Sequence, residues 1–239
     1  MQPANQHSGF EGEKEKILGR IREALRTEAP HPGHGPAVDR QDEKHGPQSS
    51  PIRQWLPFAG ETFSEKLELF KSNATMLRAQ FALLESKDEL LARIQSLREE
   101  ERWTKVGSHS GQLTDLVCRE LKLPICRTDQ PYQAADLETC NVGITECDAL
   151  IAQTGSVLVT SRSAGGRALS ILPPHHVVLA RRDQLLRDLP EGFELLKRSY
   201  PPSYPSFISF ITGPSRTGDI ERILVLGAHG PKKLTILCV

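Results

Sequence analysis

The chain has 239 residues, 38% hydrophobic and 25% charged, with 30 Lys and Arg set against 30 Asp and Glu. That length and apolar content suit one ordinary domain with an extension and exclude wholesale disorder, while the charge balance argues against a nucleic-acid partner. No apolar run approaches the ~18 residues of a membrane helix, and Met1-Gln2-Pro3-Ala4-Asn5 lacks the basic and apolar segments of a secretory signal, so a cytoplasmic protein is expected.

In chain order, residues 11–28 place Ile17, Leu18, Ile21, Ala24 and Leu25 on one helical face. This is a short amphipathic helix that needs a partner surface. Residues 29–52 then hold five prolines, three glycines and three histidines in 24 residues, the composition of a linker. His31, His34 and His45 lie there without a Cys or carboxylate cluster to complete a metal site, so no metal is expected. The predicted division is therefore 1–54, helix and linker, and 55–239, the main domain.

Phe63, Leu67, Phe70, Ala74, Leu77, Phe81 and Leu84 alternate spacings of four and three, which predicts a helix packed on the core. Ser86 and Glu89 have the form of a capping box for a second helix carrying Leu90, Leu91, Ile94 and Leu97 inward. From Trp103 onward, short apolar runs predict strands at 103–106, 124–127, 156–160, 176–180, 207–211 and 234–239. Helices are predicted between them at 111–121, 144–152, 181–189 and 217–226. Such alternation implies an α/β fold with a largely parallel sheet flanked by helices, after an N-terminal helical extension. Ligands in these folds sit beyond the carboxyl ends of the strands. The five cysteines, Cys118, Cys126, Cys140, Cys147 and Cys238, are widely spaced without a Cys-x-x-Cys pair, and are expected to be reduced thiols.

Three turns look like parts of a site. In Ile211-Thr212-Gly213-Pro214-Ser215-Arg216-Thr217-Gly218-Asp219-Ile220-Glu221 an apolar strand runs into small, hydroxyl and acidic residues. At a helix N-terminus, free N–H groups, the Ser215 and Thr217 hydroxyls and the Arg216 guanidinium can converge on an anion. The same pattern equally describes a capped helix start, with Asp219 and Glu221 complementing the dipole. Thr154-Gly155 closes a helix-to-strand turn, and His229 sits between Gly227-Ala228 and Gly230-Pro231 before the last strand. His175 and His176 are adjacent on a strand and must point to opposite faces, so they cannot form one chelating pair. No Walker loop, G-x-G-x-x-G, H-E-x-x-H or G-x-S-x-G motif occurs, and no cofactor is expected.

Gly143-Ile144-Thr145, Ala152-x-Thr154-Gly155, Leu172-Pro173, Gly213-Pro214-Ser215-x-Thr217-x-Asp219-Ile220-Glu221 and Gly227-x-His229-Gly230-Pro231 occur in one order. Together they resemble the LUD domain, in the form found in the lactate utilisation protein C family, over roughly residues 55–239. The resemblance implies a fold like that of ribose-5-phosphate isomerase and the CoA transferases. It also implies a cytoplasmic role in L-lactate oxidation to pyruvate beside iron–sulfur partner proteins, which would hold the redox clusters. Family members usually carry an acidic residue where this chain has Gln153; if that carboxylate is needed for chemistry, this chain is a binding or assembly subunit. The 29–52 linker has no counterpart in the resemblance.

Three readings follow. The first is a non-redox component of an L-lactate oxidising complex that also binds a small anion. The second is a free-standing enzyme acting on a phosphorylated or carboxylated metabolite. There Asp219, Glu221 and His229 are the acid–base candidates, and Thr154, Gly155, Gly213, Ser215, Arg216, Thr217 and Gly230 the substrate-binding ones. The third is a scaffolding or regulatory module.

Overall fold

A computed structural model describes residues 58–217, 225–226 and 230–239, together with 16, 18–20 and 22–23. The described positions between 16 and 23 are helical, and all of them are exposed, Leu18 of the apolar face included. The predicted linker at 29–52 lies outside the described residues.

The centre of the main domain is a six-stranded parallel sheet. Its strands are β1 (Gln80–Leu83), β2 (Val106–Ser108), β3 (Ile125–Arg127), β4 (Val142–Glu146), β7 (His175–Ala180) and β12 (Lys233–Cys238), in the order β1-β12-β7-β4-β2-β3. Strand β7 is buried along its whole length, and β12 at every residue but the first. Both faces of a parallel sheet are covered, so its inner strands read as continuous apolar runs rather than alternating ones.

One face is covered by α2 (Lys87–Glu101) and α3 (Gln112–Leu121), whose Leu90, Ile94, Leu97, Val117 and Leu121 meet Val177, Leu179 and Leu237. Ser86 caps α2 by accepting from the Glu89 N–H at 3.2 Å, as the sequence predicts. The opposite face is covered by a second sheet, β8-β5-β6-β9, and by α1 (Phe63–Met76). Its strands are β5 (Ala149–Ile151), β6 (Ser156–Thr160), β8 (Leu185–Leu186) and β9 (Ile208–Ile211), with β6 antiparallel to both β5 and β9. Phe70 and Ala74 of α1 join Val157, Val159, Val178 and Ile236 in this second core, where Phe70 meets the Phe81 ring edge-on at 5.1 Å. Two further helices are α4 (Ala134–Glu138) and α5 (Leu189–Ser199); Leu196 of α5 packs on the outer side of the second sheet.

The α/β fold is as predicted, but four predicted helical stretches differ. The first helix stops at Met76, Arg78 turns the chain through φ 63°, and Phe81 then lies in β1. Phe81 and Leu83 satisfy a period of two as well as the heptad spacing, and pairing with β12 decides between them. Residues 144–152 form most of β4 and all of β5, because Val142–Ile144 is buried on both faces and short apolar runs carry no distinguishing period. Residues 181–189 give one 3-10 turn at Arg182–Gln184 and then β8. The real helix starts at Leu189, where Asp188 caps by accepting from the Glu191 N–H at 3.0 Å and Pro190 occupies the first turn. Finally, the described ends of the predicted 217–226 helix are extended: β10 (Arg216–Thr217) pairs antiparallel with β11 (Val225–Leu226).

Candidate functional site

The carboxyl ends of the parallel strands were the expected place for a ligand. The N-terminus of α3 lies there, and the chain fills it from within. Glu146, at the end of β4, accepts from the Leu113 N–H at 2.7 Å and the Thr114 N–H at 3.3 Å. A carboxylate at a helix N-terminus satisfies orphan donors and complements the dipole, the role an external anion would otherwise have. His109 locks the arrangement by accepting from the Glu146 N–H through Nε2 at 3.1 Å, while its Nδ1 lies 3.0 Å from the Ser110 carbonyl.

The two motif turns that the structure brings together lie at the other end, beside the amino ends of β7 and β12. Leaving β9, Thr212 is held by a 2.8 Å hydroxyl contact with Ser156. Gly213 follows with φ 90°, and a Cβ there would stand 2.7 Å from the Leu77 carbonyl oxygen at the end of α1. Glycine is required on both counts. Arg216 donates to the same carbonyl, placing a cation at the negative end of α1. The Ser215 N–H donates to Pro231 O at 2.9 Å, which ties this turn to the one before β12. The Lys232 N–H in turn donates to Pro174 O at 2.8 Å, next to the first residue of β7.

These ties leave a cavity of about 270 Å³. Gly213, Pro214 and Ser215 form one wall, Gly230 and Pro231 a second, and Ser170 and Ile171 a third. Ile211, His176 and Leu234 complete the lining. As strand alternation requires, His175 and His176 face opposite ways. His175 lies in a network on the helical face, with Nδ1 2.8 Å from Glu101 and Nε2 2.8 Å from the Thr235 hydroxyl. His176 faces the cavity and is 1% exposed, with Nε2 2.9 Å from the Thr145 hydroxyl. Among the described residues its buried Nδ1 has no hydrogen-bond partner. Burial, assisted by the neighbouring His175, pushes the His176 imidazole down to about 3, so the ring is neutral at physiological pH.

A family model, the LUD domain, matches residues 67–239. The chain belongs to the LUD domain family. Relatives include the lactate utilization protein C of Anoxybacillus flavithermus, 27% identical over 94% of this chain and 96% of that protein. The protein of the same description from Deinococcus radiodurans is 32% identical over 49% of this chain and 55% of its own length. That of Bacillus subtilis is 33% identical over 43% of each. Except with the Anoxybacillus protein, the chain spans about half the length of these curated relatives. A crystal structure of a DUF162 family protein from Deinococcus radiodurans has the same fold, with a TM-score of 0.61 at 23% identity, over 75% of this chain and 99% of that one.

Within this LUD domain the predicted residues fall into four groups. Gly213, Ser215 and Gly230 line the cavity. Arg216 is exposed and engaged with Leu77, and Arg216 and Thr217 form β10, so the backbone at these two residues is extended. Thr154 and Gly155 do not line the cavity. Their turn is stapled to α1, where the Asn73 side-chain amide donates to Ala152 O at 2.9 Å and Gln153 O at 3.0 Å. Among the described residues the buried Thr154 hydroxyl has no hydrogen-bond partner. Asp219, Glu221 and His229 lie outside the described residues.

Sequence reasoning did not select Thr145, Ser170 or His176 as site residues. Thr145 was visible in the Gly143-Ile144-Thr145 motif, and His176 in the paired histidines. What joins them is the pairing of β4 with β7, in which Thr145 is opposite Val178 and His176 is its diagonal neighbour.

Proposed function

We propose that this chain serves lactate utilisation as a component of a cytoplasmic system that oxidises L-lactate to pyruvate, and that the cavity at His176 is its working site. The observation that carries this reading is the near end-to-end match to the Anoxybacillus lactate utilization protein C. Oxidation of the lactate C–OH to a carbonyl releases two electrons and two protons. In this reading the electrons pass to iron–sulfur partner proteins. The chain's five cysteines are free and buried, and burial raises every one of their thiols. Among the described residues no three His, Cys, Asp or Glu side chains gather into a metal-holding group. Residues 55–239 act as the LUD unit, and 1–54 as an appended helix and linker. Among the described residues no helix is long and apolar enough to cross a membrane, which fits work alongside other proteins in the cytoplasm.

Deleting the gene from its host is expected to abolish growth on L-lactate while growth on glucose continues. Unchanged growth and unchanged lactate consumption in the deletion strain would overturn the assignment.

A further inference from the structure

The six-stranded sheet ends at β3, which pairs with β2 alone. The Val106 N–H donates to Pro124 O and the Thr128 N–H to Ser108 O, each at 3.0 Å. Parallel pairing engages alternate residues of a strand, so these two bonds fix how the rest of β3 faces. Cys126 turns its N–H and C=O towards β2, and Ile125 and Arg127 turn theirs outward. Among the described residues no hydrogen bond engages either outward pair. Both residues are partly exposed, whereas Cys126 between them is buried.

This edge borders a cleft of about 820 Å³, lined by all three residues of β3, by the turn at 130–133 and by Ala135 and Asp136 of α4. The lining falls wholly within 105–139, a stretch the structure describes without a gap. The two outward N–H and C=O pairs lie about 6.6 Å apart along the strand. An extended polypeptide repeats its own N–H and C=O at that spacing and can meet both pairs at once. A small anion finds only two N–H groups there, each beside a carbonyl that repels it. Cys126 faces Leu137 and Cys140 on the α4 side of the sheet, and a peptide residue opposite it sends its side chain the same way. Pro131, Ala135 and the ring of Tyr132, 40% exposed, offer that side chain an apolar surface. Three residues are a short edge for joining two whole sheets, but they are enough to seat one strand.

We infer that the β3 edge and its cleft bind an extended polypeptide segment of a partner protein, which adds a strand to the sheet and lays an apolar side chain against Tyr132. The site is separate from the cavity at His176, so it neither needs nor supports that cavity's role in lactate utilisation.

The test uses the full chain labelled with ¹⁵N and reads amide hydrogen exchange by NMR. In the free chain the Cys126 and Thr128 amides are expected to be protected at least about tenfold more than those of Ile125 and Arg127. The probe is the blocked peptide acetyl-Thr-Thr-Val-Thr-Thr-amide. It should slow exchange at Ile125 and Arg127 saturably, by about tenfold when free peptide stands at about ten times its Kd. The same peptide N-methylated at every residue has no backbone donors and should bind at least about tenfold more weakly. Ile125→Pro puts a ring where the outward N–H stood and spares every bond to β2, so it should keep the thermal midpoint and weaken the peptide by a similar factor. The comparison of the two peptides on the unaltered chain stands whether or not that variant folds. No saturable slowing at Ile125 and Arg127, equal binding of the N-methylated peptide, or unchanged peptide affinity in folded Ile125→Pro would overturn the inference. So would protection of those two amides in the free chain that grows with protein concentration, which would assign the edge to a second copy.

Discussion

Gly155→Ala is expected to lower stability by about 3 kcal/mol, read as a fall in the urea midpoint without a change in slope. Two costs add. Gly155 has φ 65°, a region that costs a residue with a Cβ roughly 1–2 kcal/mol. The new Cβ would also stand 2.8 Å from both the Ala74 backbone nitrogen and Asn73 Cβ, inside contact distance of a helix that cannot yield locally. Overpacking of that kind costs about 1–3 kcal/mol. The effect should reach the cavity, because α1 is held by this turn at Asn73 and by the cavity wall at Leu77. A loss below about 1 kcal/mol would mean that the Thr154-Gly155 turn does not clamp α1 as described.

The second large effect concerns acid stability. His176 has a folded-state pKa of about 3 against an ordinary value of 6.5. Between those two values the unfolded chain takes up a proton at this residue and the folded protein does not. Stability from this source is therefore complete above pH 6.5 and is lost as pH falls from 6.5 towards 3, by up to about 1.4 kcal/mol per pH unit. His109 and His175 are also lowered, chiefly by burial, and tilt the curve in the same direction. A double variant, Thr145→Val with His176→Leu, removes both partners of one hydrogen bond and leaves those other groups in place. At pH 7 it should lie close to the parent, since deleting both partners together strands no polar atom. By pH 4 the difference between the two proteins should have moved in the variant's favour by about 3 kcal/mol. An identical difference at both pH values would show that His176 is not buried as a neutral ring.

What the sequence made legible was local or motif-borne. The caps and apolar stripe of α2 rest on contacts a few residues apart, and so does the opposite facing of His175 and His176. The ordered motifs gave the family, and with it the general fold. The β4–β5 run was misread because a strand buried on both faces has no polar residues to mark its period. The cavity lies away from the carboxyl ends of the strands for a different reason. The carboxyl-end expectation assumes that helix N-termini there are open to ligands, but Glu146 closes that of α3 through contacts spanning 32 and 33 positions. The Thr145–His176 pair is similarly non-local, brought together across 31 positions by strand register alone.

The central claim is that the cavity at His176 is where this LUD domain does its work in lactate utilisation. Its most direct test is growth on L-lactate of the deletion strain complemented with the Thr145→Val, His176→Leu variant, at matched protein abundance and thermal midpoint. Loss of growth on lactate, with growth on glucose intact, is the predicted result. Growth equal to that of the strain complemented with the unaltered gene would contradict it.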